Sequence, residues 1–217
     1  KIENSLSKVL NSKIKIIGAG RTDKGVHALG QHANFKSEIK IENKKKFINS
    51  LNFFLSKHSI SIIKISRKKL SFNSRHDAKE RIYKYLIINR QGSLSLNNNR
   101  AWHIKNNLDI KLLKKGAKLF EGTHDFSTFR ASSCSAKSPI KKMNSVKVKK
   151  NGEQVVIIFK SKSFLQNQVR SMVGSLKYLS SGKWTYKDFK KAFESKNRNK
   201  CAPPAPASGL YLHSIRY

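Results

Sequence analysis

The chain has 217 residues, enough for one large domain or two small ones, and either could bury a core. Its 46 lysines and arginines against 12 aspartates and glutamates leave a net charge of +34, far beyond the needs of solubility and typical of a protein that binds a polyanion such as nucleic acid. Two cysteines, Cys134 and Cys201, exclude a disulfide framework and a CxxC-type metal cluster, and no apolar run nears the roughly 18 residues that span a bilayer.

A reducing interior suits this composition, no signal peptide opens the chain, and a cytoplasmic protein without a membrane partner is expected. The first residue is Lys1 rather than Met, so the gene product is expected to have sequence upstream of it.

In chain order, Ile2, Leu6, Val9 and Leu10 recur at helical spacing and feed a strand at Lys13–Ile17. Ala28–Phe35 reads as a further strand. Phe47, Ile48, Leu51 and Leu55 mark one face of a helix over Lys44–Leu55, and Ser59–Ile65 alternates like a half-buried strand. Arg81–Ile88 is a strong strand. Gln91–Asn99, rich in Gly, Ser and Asn, reads as a linker, and places an N-terminal subdomain at 1–92 and a C-terminal one at 99–217. Beyond it come a helix over Leu108–Phe120, a hairpin of Ser145–Lys149 and Val155–Ser161 around Asn151-Gly152, and a helix over Phe164–Leu179. Ala202–Ser208, with three prolines, reads as an extended connector into a last strand, Leu210–Tyr217. Both halves mix strands and helices, so the expected class is α+β, with two subdomains sharing a mainly antiparallel mixed sheet around a central basic cleft.

The stretch with chemistry in it is Gly18-Ala-Gly20-Arg21-Thr22-Asp23-Lys24-Gly25-Val26-His27-Ala28. Three glycines let the backbone turn sharply and approach a ligand. A dinucleotide fingerprint fails because Asp23 stands where a third glycine is needed, and a P-loop fails because Val26-His27 follow Gly25. What remains is one carboxylate between Arg21 and Lys24, whose charges favour its ionised form. Read alone, Asp23 is a turn former.

Together the motifs resemble the TruA-type tRNA pseudouridine synthases, over nearly the whole chain. Gly20–Ala28 resembles that family's signature around its catalytic aspartate, which falls on Asp23. Phe72 and Arg75, followed by Arg81-Ile82-Tyr83-Lys84-Tyr85, resemble the second motif, whose active-site tyrosine falls on Tyr83. Gln168-Val169-Arg170 through Val173-Gly174 to Leu176 resembles the third, whose arginine partner of the aspartate falls on Arg170. Phe126–Arg130 and Gly209–Leu212 fit as well. Ile82 and Asn73 depart from the arginine and histidine common there, a change expected at RNA contacts rather than in the chemistry. Nothing corresponds to the Tyr-Asp-Gly and Gly-Trp-Gln strand with which the family usually opens, so a core strand is expected to be missing from this sequence.

The resemblance implies the pseudouridine synthase fold and isomerisation of uridine to pseudouridine at positions 38 to 40 of the tRNA anticodon arm, by a homodimer. It implies no cofactor and no metal. Asp23 would act as a nucleophile or as a base at the 2′ carbon, two roles the sequence leaves open. Arg170 would orient it, and Tyr83 would stack under the extruded uracil and take the C5 proton. Arg21, Thr22, Lys24, His27, Arg75, Arg81 and Arg130 are the expected RNA-binding set, with Lys137 and Lys141 as further phosphate contacts and Arg21 as a wedge beside the flipped nucleotide. His27, His32, His103 and His124 lie in separate predicted elements and form no ligand pair.

Two other readings compete. Basicity alone would suffice for a non-catalytic RNA-binding module, but such a binder has no use for a carboxylate in its basic loop. A metal-dependent nuclease needs clustered carboxylates, whereas the aspartates at 23, 77, 109, 125 and 188 are scattered in sequence.

Overall fold

The computed structural model describes residues 1–217, which divide into two compact units. The smaller comprises Lys1–Gly20 and His32–Asp77, and the larger Arg21–Gln31 and Ala78–Tyr217. No helix is long and apolar enough to cross a membrane.

In the smaller unit, α1 (Ile2–Leu10) and α2 (Lys44–Leu55) bury Leu6, Leu10, Phe47 and Leu51 together with Ile14. The spacing of these residues is the helical one read from the sequence. Asn43 caps α2 by accepting a bond from the Lys46 amide at 2.9 Å. The strand expected at Lys13–Ile17 is β1 (Ile16–Gly18), shifted toward the loop, and it pairs antiparallel with β3 (Ala33–Phe35).

Two expectations are corrected here. Ser59–Ile65 forms no strand: the Asn52 side-chain amide accepts from the Ile62 N–H at 2.7 Å and donates to the Ile62 carbonyl at 3.0 Å, doing what a neighbouring strand would do. Ile62 and Ile65 still pack on the small core, which accounts for the alternation. Ala28–Phe35 is not one strand either. β2 (His27–Ala28) belongs to the larger unit and β3 to the smaller, because the amides of Leu29 and Gly30 both turn to the Leu212 carbonyl, at 2.9 and 3.4 Å.

The larger unit is built on a seven-stranded mixed sheet in the order β2-β9-β4-β8-β7-β6, with β5 also paired to β4. Its further strands are β4 (Glu80–Asn89), β5 (Trp102–Ile104), β6 (Gly122–Asp125), β7 (Ile140–Asn151), β8 (Gln154–Ser161) and β9 (Leu210–Arg216). The pairs β2–β9 and β4–β5 are parallel, and the rest antiparallel. Strands from before and after residue 92 therefore share one sheet, and the α+β class holds. The Gln91–Asn99 segment runs from β4 to β5 inside this unit.

Three helices, α3 (Ile110–Leu119), α4 (Gln168–Ser180) and α5 (Tyr186–Glu194), contribute to the core with the sheet. α4 is buried along most of its length: Met172, Val173, Leu176 and Leu179 are sealed from solvent, each worth about 1.5–3 kcal/mol of apolar burial. A ring cluster of Phe120, Phe126, Phe129, Phe189 and Phe193 closes the end near α5. α5 has no counterpart in the sequence reading, although Thr185 and Asp188 form a capping box at its start.

The proline segment lies against α4. A Cβ on Gly174 would sit 2.0 Å from the Pro203 carbonyl oxygen, so only glycine lets helix and segment approach this closely. The same segment reaches β4, where the buried Tyr85 hydroxyl donates to the Pro206 carbonyl at 2.7 Å.

Candidate active site

The site forms within the larger unit, where the loop before β2 meets the first turn of α4. Residues 23–26 make a tight turn closed by the Val26 N–H donating to the Asp23 carbonyl at 3.1 Å. Gly25, with φ +83°, occupies the third position, where a type II turn demands a positive φ. The turn thus holds the backbone of Asp23 while leaving its side chain for another partner.

That partner is Arg170. Its Nη1 lies 3.2 Å from Asp23 Oδ2, with the two side chains 19% and 32% exposed respectively. A charge-assisted bond this far out of water is stronger than an open surface pair. The guanidinium is gripped elsewhere too. Nε donates to the Ala205 carbonyl at 2.8 Å, Nη1 also reaches Asn167 Oδ1 at 3.4 Å, and the Ala205 N–H returns a bond to the Arg170 carbonyl at 2.9 Å.

Tyr83, the third expected catalytic residue, is half-buried on β4. Its ring meets Phe164 edge to face, with centroids 5.0 Å apart, and packs against the core. The register toward β9 shifts between Ile82 and Tyr83, an irregularity of the kind that re-aims a side chain. Burial pushes the Tyr83 phenol above its ordinary value, with the Arg81 charge opposing and the Asp23 charge adding to the rise. Tyr85, two residues on, is raised by burial as well, against the opposing charge of Arg170.

The expected RNA-binding residues fall into three groups. Arg21 and Lys24 are exposed beside Asp23, with Thr22 half-exposed between them. Arg81 and Arg130 lie in the same unit but spend guanidinium donors on backbone: Arg81 on the Lys162 carbonyl, Arg130 on the carbonyls of Cys134 and Ala136 at 2.6 and 2.7 Å. His27 stacks on Tyr211 at 4.8 Å and bonds the Asn99 carbonyl, which fixes the β2–β9 pairing beside the loop. Lys137 is exposed, and Lys141 donates to the Ser138 carbonyl at 3.0 Å. Arg75 belongs to the smaller unit, where its backbone N–H is taken by Asn73 Oδ1. His103 and His124 each pair a ring nitrogen with a backbone carbonyl, and His32, its pKa lowered by burial and then by Lys68, lies in the smaller unit.

Sequence reasoning missed Asn167, Phe164 and the Ala205 carbonyl. Asn167 lies inside the helix read over Phe164–Leu179, which the structure begins only at Gln168. The carbonyl gave no signal, since every residue carries one.

Comparison with known proteins bears directly on this arrangement. A family model described as tRNA pseudouridine synthase matches residues 117–217. The tRNA pseudouridine synthase A of Pelagibacter ubique (strain HTCC1062) is 54% identical over 216 residues, covering 100% of this chain and 88% of that protein. This chain belongs to the tRNA pseudouridine synthase A family. The family members of Methylocella silvestris and Maricaulis maris are 40% and 37% identical, again across all of this chain and over 87% and 86% of theirs. The family model covers Arg170 and the proline segment, and the full-length relatives extend the match to the Asp23 loop and β4.

Proposed function

We propose that this chain isomerises uridine to pseudouridine in tRNA, at positions 38 to 40 of the anticodon arm, with Asp23 as the catalytic carboxylate. The observation that carries the reading is the Asp23–Arg170 ion pair, made by residues 147 positions apart. A module that only bound RNA would have no use for this carboxylate among the cations of its loop.

The reaction breaks the bond from N1 of uracil to C1′ of the ribose, turns the base, and joins C5 to C1′. The C5 proton leaves and N1 gains one, so the change is an isomerisation with no net oxidation or hydrolysis. Asp23 acts as the nucleophile or as the base at the 2′ carbon, and Arg170 orients it for either. Tyr83 is protonated at neutral pH, so it faces the base as a neutral ring. It can take the C5 proton only by passing its own proton on in the same step. The base must leave the stack to reach these groups, and Arg21 and Lys24 are placed to hold the flanking phosphates. The working form is a homodimer in the cytoplasm.

The test is incubation with unmodified tRNA followed by chemical derivatisation that maps pseudouridine. Modification confined to the anticodon arm supports the proposal. Tight tRNA binding without any pseudouridine would favour the binding module instead.

A further inference from the structure

Asn167 breaks a local rule. It occupies the residue before α4, where asparagine ordinarily adopts an extended backbone and caps the helix with its side chain. Here its backbone is left-handed, with φ 60° and ψ 0°, and its side chain caps nothing. The buried Gln168 ties back the loop ahead of the helix, its side-chain oxygen accepting from the Leu165 N–H at 2.8 Å. Asn167 is the third residue of a turn closed by the Gln168 N–H and the Leu165 carbonyl at 3.2 Å, a position where glycine would sit without strain.

The surroundings enforce this conformation. The Gln166 carbonyl accepts from the Ala131 N–H at 3.1 Å, and the Gln166 N–H donates to Cys134 Sγ at 3.4 Å. The 131–136 loop that supplies both partners is itself held by the Arg130 guanidinium. Asparagine tolerates this left-handed backbone better than most side chains, so the bonds to Gln166 can hold the turn at the edge of the candidate active site. Asn167 Oδ1 lies 3.4 Å from the same Arg170 Nη1 that faces Asp23, while Nε is taken by Ala205.

We infer that Asn167 is a positioning residue: its side-chain oxygen and the Ala205 carbonyl hold the Arg170 guanidinium so that Nη1 meets Asp23. The inference rests on the proposed isomerase reading. Asn167 acts through Arg170 and contributes to turnover rather than to tRNA binding.

Asn167→Gly separates the two roles of the residue, because glycine keeps the turn and removes the amide. The expected result is a fall in kcat of roughly 5- to 20-fold, the low end of the scale for one bond to a charged group because the 3.4 Å contact is long, with KM for tRNA within about twofold and a melting temperature that does not drop. In an Arg170→Ala background the same substitution is expected to cost nothing further, since its target is gone. Asn167→Asp keeps the accepting oxygen and is expected to retain more turnover than the glycine variant. Wild-type protein that makes no pseudouridine overturns the functional reading and this inference with it. Active wild type matched by Asn167→Gly, an equal loss in both backgrounds, a loss confined to KM, or an aspartate variant no better than glycine overturns the inference alone.

Discussion

Gly174→Ala tests whether the proline segment sets the position of Arg170. Two effects of the substitution oppose each other. Alanine favours the helix by about 1 kcal/mol over glycine in a helix interior. Against that, its Cβ would stand 2.0 Å from the Pro203 carbonyl oxygen and 3.3 Å from the Ala205 nitrogen, contacts with backbone that no side-chain rotation can relieve. The segment must retreat by roughly 1 Å, and overpacking of this kind costs about 1–3 kcal/mol. The clash wins or breaks even, so the melting temperature is expected to stay level or fall by a few degrees, at roughly 2–4 °C per kcal/mol for a chain of this size. Activity suffers more. A retreat of that size breaks the 2.8 Å bond from Arg170 Nε to the Ala205 carbonyl. Bonds to charged groups contribute about 1.5–3 kcal/mol, equivalent to a loss of roughly 10- to 150-fold in kcat. Thermal melting and single-turnover pseudouridine formation on the same preparation measure both numbers. A variant with a raised melting temperature and wild-type kcat would refute the idea that the segment's close approach positions Arg170.

Two further outcomes follow from the charges. Burial raises the phenols of Tyr83 and Tyr85 above the ordinary value of 10.0, so the folded state holds their protons more tightly than the unfolded state. Their contribution is complete below pH 10 and is lost as pH rises above it, so denaturant titrations should show stability falling there, and less steeply in a Tyr83→Phe variant. The net charge of +34 predicts that tRNA affinity drops steeply with salt, each neutralised phosphate adding about 0.7–0.9 to the log–log slope; filter binding between 50 and 300 mM salt, roughly the range where such slopes are read, would expose a salt-insensitive contact.

Much of the candidate site was legible because its residues sit in motifs with a physical reason: glycines around a turn, a carboxylate among cations, an arginine within an apolar-periodic helix. The Asp23 loop, Tyr83 and Arg170 could be named from sequence, and the ion pair between the first and last was implied by family resemblance. What escaped depended on backbone partners or on chain context. Ala202–Ser208 reads as a connector, yet its carbonyls grip Arg170 and Tyr85, and no residue type advertises a carbonyl that will be used. Ser59–Ile65 has a strand's alternation but finds a side-chain amide in place of a strand. α5 lies between the read elements although Thr185, Asp188 and the buried pair Phe189 and Phe193 carry both its start signal and its inward face. Asn167 reads as an interior position of the Phe164–Leu179 helix, and only the fold starts that helix at Gln168 and turns the Asn167 side chain toward Arg170.

The central claim is that Asp23 supplies the carboxylate for uridine isomerisation, and Asp23→Asn tests it most directly because size and hydrogen-bonding capacity stay while the charge goes. Pseudouridine yield and tRNA affinity are measured for active wild type and mutant at one salt concentration, with circular dichroism establishing that both are folded. The account predicts that isomerisation vanishes while binding survives or tightens slightly, since one negative charge leaves a loop that approaches an RNA backbone. A folded Asp23→Asn protein with wild-type pseudouridine yield would contradict it and return Asp23 to the role of a turn former.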